Sequence, residues 1–88
     1  MRRIEAGMFA LSLTGHDKGR LYLVIKAEDG YVYLADGELR SLEKMKKKKE
    51  KHIQIIYRTP EGWNPEQISN DDVKRAIRQY KKSLQAHN

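Results

Sequence analysis

The sequence predicts a mainly β fold, a small barrel with one C-terminal α-helix packed on it. Three observations carry this expectation. Short runs of aromatic and β-branched residues recur over residues 1–58, glycine- and aspartate-containing breaks separate them, and one amphipathic stretch follows a proline-containing segment. Such runs suit a pleated, half-buried surface, and several of them punctuated by turn residues suggest a closed or layered sheet. The amphipathic stretch needs an apolar surface to cover, which a sheet face supplies. A chain of 88 residues holds one domain at most. The expected division is a barrel over residues 1–58, a linker over 59–68, and a helix with its tail over 69–88, all parts of one domain.

Gly7-Met8-Phe9-Ala10-Leu11-Ser12-Leu13 is the first apolar run, and Arg20 to Ala27 is the second, with Leu21, Tyr22, Leu23, Val24 and Ile25 inside it. Thr14-Gly15-His16-Asp17-Lys18-Gly19 is the turn between them. Tyr31-Val32-Tyr33-Leu34-Ala35 is the third run; the Asp29-Gly30 pair before it signals a tight hairpin, and Asp36-Gly37 ends it. Residues 38–51 change character. Lys46 to Lys49 are four consecutive like charges that repel one another, so an exposed loop is expected there. His52 to Arg58 reads as a fourth strand, in which Ile53, Ile55 and Tyr57 alternate with Gln54, Ile56 and Arg58. A fifth strand falls either in residues 38–43 or near Gly62-Trp63.

Thr59 to Pro65 is turn-rich, with Trp63 placed to anchor the linker on the barrel. The helix follows. Ser69 or Asn70 can cap it, and Asp72 stands three residues after Ser69, the spacing of a capping box. Val73, Ala76, Ile77, Tyr80 and Leu84 form one apolar stripe, opposite Lys74, Arg75, Arg78, Lys81 and Lys82.

The net charge is +6, and most of it sits in one place: residues 40–58 carry eight basic and two acidic side chains. Such clustering builds a local field that attracts phosphate. There is no cysteine, which excludes disulfides, thiolate metal sites and a cysteine nucleophile. His16, His52 and His87 are scattered, without metal-ligand spacing. Asp71 and Asp72 are a pair of carboxylates that helix capping accounts for. No serine stands in a nucleophile elbow and no glycine-rich phosphate loop is present, so no enzyme activity, metal or cofactor is expected. No apolar run approaches the ~18 residues of a membrane span, and no h-region follows Met1-Arg2-Arg3. A cytoplasmic, monomeric protein is expected.

The stretch from Gly7 to Ile25, with Gly19 at its turn, resembles a KOW motif. Ala35-Asp36-Gly37 and then Lys46-Lys47-Lys48-Lys49-Glu50-Lys51-His52 are similar to the segments that follow that motif in KOW proteins of the archaeal and eukaryotic large ribosomal subunit and in their small bacterial relatives. The resemblance covers residues 7–58; Met45 stands where a proline commonly precedes the lysines. It implies an SH3-like barrel, RNA as the partner in a ribosomal context, no catalysis, and RNA contacts from Lys18 and Arg20 in the first turn. The charge distribution adds Arg40, Lys44, Lys46, Lys47, Lys48, Lys49, Lys51, His52 and Arg58 as the contact set. Neutralised phosphates release counterions, so such a set favours RNA backbone and shape, with weak sequence preference. The alternative is an SH3-like module that binds an acidic protein surface. On the loop reading, alanine at Lys46 to Lys49 weakens RNA binding and leaves the melting temperature nearly unchanged.

Overall fold

The computed structural model describes residues 3–85. Its central strand explains the architecture. In β2 (Leu21–Glu28) the first four residues, Leu21-Tyr22-Leu23-Val24, are all buried, so both faces of the strand are covered. β2 pairs with β1 (Phe9–Ser12) on one side and β3 (Tyr31–Ala35) on the other. β4 (Lys46–Lys49) adds to β3 and β5 (Ile53–Ile56) to β1. The result is one antiparallel sheet of five strands in the order β4-β3-β2-β1-β5, with a single 3₁₀ turn, Glu50–His52, between β4 and β5. Asp29 and Gly30 both take positive φ, 53° and 81°, as a two-residue hairpin with the favoured twist requires.

Each face of the sheet has its own core. On one, Phe9, Leu21, Leu23 and Ala35 meet Val73, Ala76 and Ile77 of α1 (Asn70–Gln85), with Trp63 of the linker packed beside them. On the other, Ala10, Tyr22, Val24, Val32, Leu34 and Ile53 bury one another. Those six residues all come from strands, and Ile4 packs on them from outside the strands. The sheet rolls over on itself to bury them, without β4 pairing with β5 to close the barrel expected from the sequence. A side-chain contact demonstrates the roll. Lys48 of β4 hydrogen-bonds Ser12 of β1 at 2.7 Å, although β3 and β2 lie between them in the sheet. In a flat sheet those strands would be about 14 Å apart, at ~4.8 Å per strand. A bulge helps the bend: Val24 pairs with Leu34 but Lys26 with Tyr33, which leaves Ile25 as the extra residue.

The helix forms where its capping chemistry places it. The Ser69 hydroxyl accepts from the Asp72 N–H at 3.2 Å, and the Asp72 carboxylate accepts from the Ser69 N–H at 2.9 Å, a reciprocal box. Hydrogen bonds donated to it by the Ser69 N–H and hydroxyl, and then Arg75, hold the Asp72 carboxyl below its usual range. Asn70 ties this end to the chain before β4, accepting from the Leu42 N–H and donating to Glu43. The apolar stripe packs from Val73 to Tyr80, whose ring stacks on Phe9 with centroids 4.7 Å apart. Leu84 does not belong to it: it is 53% exposed, one turn beyond the last residue that meets the sheet.

The largest departure from expectation is residues 38–51. The lysine run is a strand, not an exposed loop, and it is the fifth strand, in neither place expected for it. Alternation resolves the repulsion, because neighbouring lysines point to opposite faces and Lys48 is neutralised inside. A lysine-rich strand at a sheet edge also discourages pairing with a second copy of the same edge. Before it, Asp36 organises a turn, accepting from the N–H groups of Glu38 and Arg40, both at 2.9 Å. Gly37 lies against the helix start, where a Cβ would collide with the Asn70 carbonyl and the Lys74 side chain. Among the described residues, no helix is long and apolar enough to cross a membrane.

Candidate nucleic-acid interface

The register of β2, β3 and β4 sorts the basic side chains. Lys46 pairs with Leu34 and Lys48 with Val32, both core residues, so these two lysines share the inward face. Lys47 pairs with Tyr33, which pairs in turn with Lys26; Lys49 pairs with Tyr31, which pairs with Glu28. Two rows therefore cross the outward face, Lys26-Tyr33-Lys47 and Glu28-Tyr31-Lys49. Neither tyrosine belongs to either core. The Lys47 ammonium lies 4.4 Å from the Tyr31 ring centroid and 5.9 Å from that of Tyr33, and the Lys26 ammonium 5.6 Å from Tyr33. Lys26 also meets Glu28 at 3.0 Å, a pair with both side chains about half exposed. Exposed pairs of this kind are weak and screened by salt, so a phosphate can compete for the ammonium.

Lys48 has a different task. Its ammonium donates three hydrogen bonds, to the Ser12 hydroxyl, the Thr14 carbonyl and the Asp17 carboxylate, each at 2.7 Å. Asp17 also accepts from Ser12 and from the Tyr22 hydroxyl, both at 2.8 Å. The Lys48 and Asp17 side chains are only 9% and 15% exposed. The network joins the first turn to β4, binding by side chains two strands that share no ladder. Lys48 is thus withdrawn from the contact set, since all three of its N–H donors are used within the protein. Alanine at all four lysines would consequently lower the melting temperature, contrary to the loop reading.

Burial acts to raise the Asp17 carboxyl, but the hydrogen bonds from Lys48, Tyr22 and Ser12 outweigh it and hold the group well below the usual carboxylate range. Burial first, then the Asp17 carboxylate, pushes the Tyr22 phenol up to about 12. The two shifts act at opposite ends of the pH scale. The Asp17 contribution is complete above its unfolded value of ~3.9 and is lost as pH falls below it. The Tyr22 contribution is complete below an unfolded value of ~10 and is lost as pH rises toward about 12. Melting followed by circular dichroism is expected to show both declines, with Tyr22→Phe making the alkaline one shallower. An alkaline limb identical to wild type would remove Tyr22 from the network's energetics.

The remaining candidates are spread around the molecule. Lys18 is exposed in the first turn. Arg20, 39% exposed, is held by Asp36 at 3.0 Å. Arg40 is half-buried in the Asp36 turn, Lys44 exposed before β4, and Lys51 exposed in the 3₁₀ turn. His52 is half-buried, and its carbonyl accepts from the Leu13 N–H. The Arg58 guanidinium lies 5.5 Å from the Tyr80 ring, on the helix side. The outward rows thus unite Lys47 and Lys49 with three residues that the charge count did not single out, Lys26, Tyr31 and Tyr33. Their signal is the Tyr-x-Tyr spacing, which puts both rings on one face. Among the described residues, no group of three or more His, Asp or Glu side chains could hold a metal ion; His87 lies outside them. Compared with known proteins, the chain matches no family model and no curated protein.

Proposed function

We propose that the chain is an RNA-binding module of the KOW type, an SH3-like barrel that contacts structured RNA of the ribosomal kind and carries out no catalysis. The barrel reading is supported by the rolled sheet, whose strands bury Ala10, Tyr22, Val24, Val32, Leu34 and Ile53 against one another. The observation that carries the RNA reading is the outward face of β2–β4, where Lys26, Lys47 and Lys49 surround two tyrosines outside both cores. Three ammonium groups on one rigid surface suit the phosphates of a folded RNA, and the flexible lysine stems allow backbone tracking without a fixed sequence. Lys18, Lys44 and Lys51 are exposed as well and add to the positive charge that attracts RNA.

A second reading has its own observation. β4 forms an edge of the sheet, and a lysine-rich edge suits an acidic extended segment of a protein partner. Competition separates the two. In a fluorescence-anisotropy titration with a structured RNA hairpin, unlabelled hairpin is expected to displace the probe and polyglutamate at equal charge to displace it poorly. Equal displacement by polyglutamate would favour the protein partner, and no binding at low salt would end the RNA reading.

A further inference from the structure

Tyr31 and Tyr33 give the outward face something that lysines alone do not. They occupy alternate positions of β3, with Val32 between them turned into the strand core. Their separation along the strand is about 7 Å, twice the ~3.4 Å rise per residue. Both residues are half-buried. What lies over their faces is a cation from each side, Lys47 at 4.4 Å from Tyr31 and Lys26 at 5.6 Å from Tyr33, rather than apolar core. An ammonium on a flexible stem is a displaceable cover. It can leave the ring for a phosphate while a nucleobase takes its place, and each group then meets a better partner.

We propose that this face binds unpaired nucleotides, with bases stacked on Tyr31 and Tyr33 and the flanking phosphates held by Lys26, Lys47 and Lys49. The proposal rests on the RNA-binding reading and names the part of the RNA that the face takes. It also revises the expectation of backbone contacts alone. A continuous duplex keeps its bases stacked inside and offers only its backbone and groove edges, leaving both rings unused. An aromatic ring in a basic surface therefore favours single strands, loops or bulges, and does so with little sequence preference because every base has a π-face.

The ordinary role of two half-buried tyrosines is to stabilise the sheet through cross-strand contacts, and the test separates the roles. The probe is a short single-stranded RNA carrying 2-aminopurine, compared with a perfect duplex of the same sequence. For the wild-type protein, quenching of 2-aminopurine on binding and tighter binding of the single strand are expected. Tyr31→Val with Tyr33→Val, which keeps strand propensity, is expected to weaken single-strand binding at least roughly thirtyfold, about fivefold or more for each of the two stacked bases, with little change for the duplex. Tyr→Phe at both positions is expected to restore it. The wild-type measurements stand even if the valine variant folds poorly. Absence of quenching, a preference for duplex, or a folded valine variant with wild-type single-strand affinity would overturn stacking. If lysine substitutions still weakened binding in that case, the RNA reading itself would survive; failure to bind any RNA would overturn both.

Discussion

Lys48→Met is expected to cost the fold about 3 kcal/mol, the lower end of the range for breaking a buried ion pair by removing one partner. The methionine fills much the same volume but leaves Asp17, 15% exposed, without the ammonium that neutralised it. Ser12 and the Thr14 carbonyl lose the same donor. A domain of 88 residues has a total stability of about 4–13 kcal/mol, so the loss is a large share of the whole. It corresponds to a fall in melting temperature of roughly 12–24 °C, at ~4–8 °C per kcal/mol for a domain of this size. Adding Asp17→Asn to Lys48→Met is expected to recover part of the loss, because an amide needs no counter-charge and can still accept from Tyr22. Urea unfolding of the two single variants and the double variant completes the cycle. A coupling energy near zero would mean that the network does not hold β1 and β4 together.

The second large effect is expected in binding. Replacing Lys26, Lys47 and Lys49 by alanine should reduce affinity for a folded RNA by about a hundredfold at 0.1 M salt, since each phosphate contact contributes ~0.7 of a decade there through counterion release. Stability should change little, because Lys47 and Lys49 are exposed and the Lys26–Glu28 pair is an exposed one. Lys48→Met is the complementary control: it should lower stability strongly and affect binding only through the fraction unfolded. A melting temperature equal to wild type in the triple variant, with affinity also equal, would move the interface elsewhere. The basic side of α1 is then the alternative, although Lys74 lies 3.8 Å from Glu38 and Arg75 bonds Asp72.

Local chemistry made part of this structure legible. β3 was readable because its alternating residues follow an Asp-Gly hairpin signal, and the helix start because Ser69 and Asp72 form their box within one turn. β4 was not readable, since nothing local makes four lysines a strand. The partners that do so are β3, which supplies the ladder, and Asp17, which lies 31 positions away in sequence. For the same reason Asp17 looked like a turn residue and Lys48 like one more free cation. The Tyr-x-Tyr spacing put two rings on one face, but the side that remained open depended on two distant facts. One is the bulge at Ile25, which changes the faces to which the later residues of β2 point. The other is the position of α1, which covers Leu23 and Ala35 but leaves the Tyr31 and Tyr33 rings outside the core.

In the proposed RNA-binding role, phosphates are bound by three particular ammonium groups on the outward face of β2–β4. Salt dependence measures it most directly, as the slope of log affinity against log salt for wild type and for the Lys26, Lys47 and Lys49 alanine variant, each with the same RNA hairpin. Two straight lines are expected, with the variant's slope shallower by about 2, the equivalent of three contacts at ~0.7 each. Parallel lines would contradict it, because they would mean that these lysines release no counterions when the RNA binds.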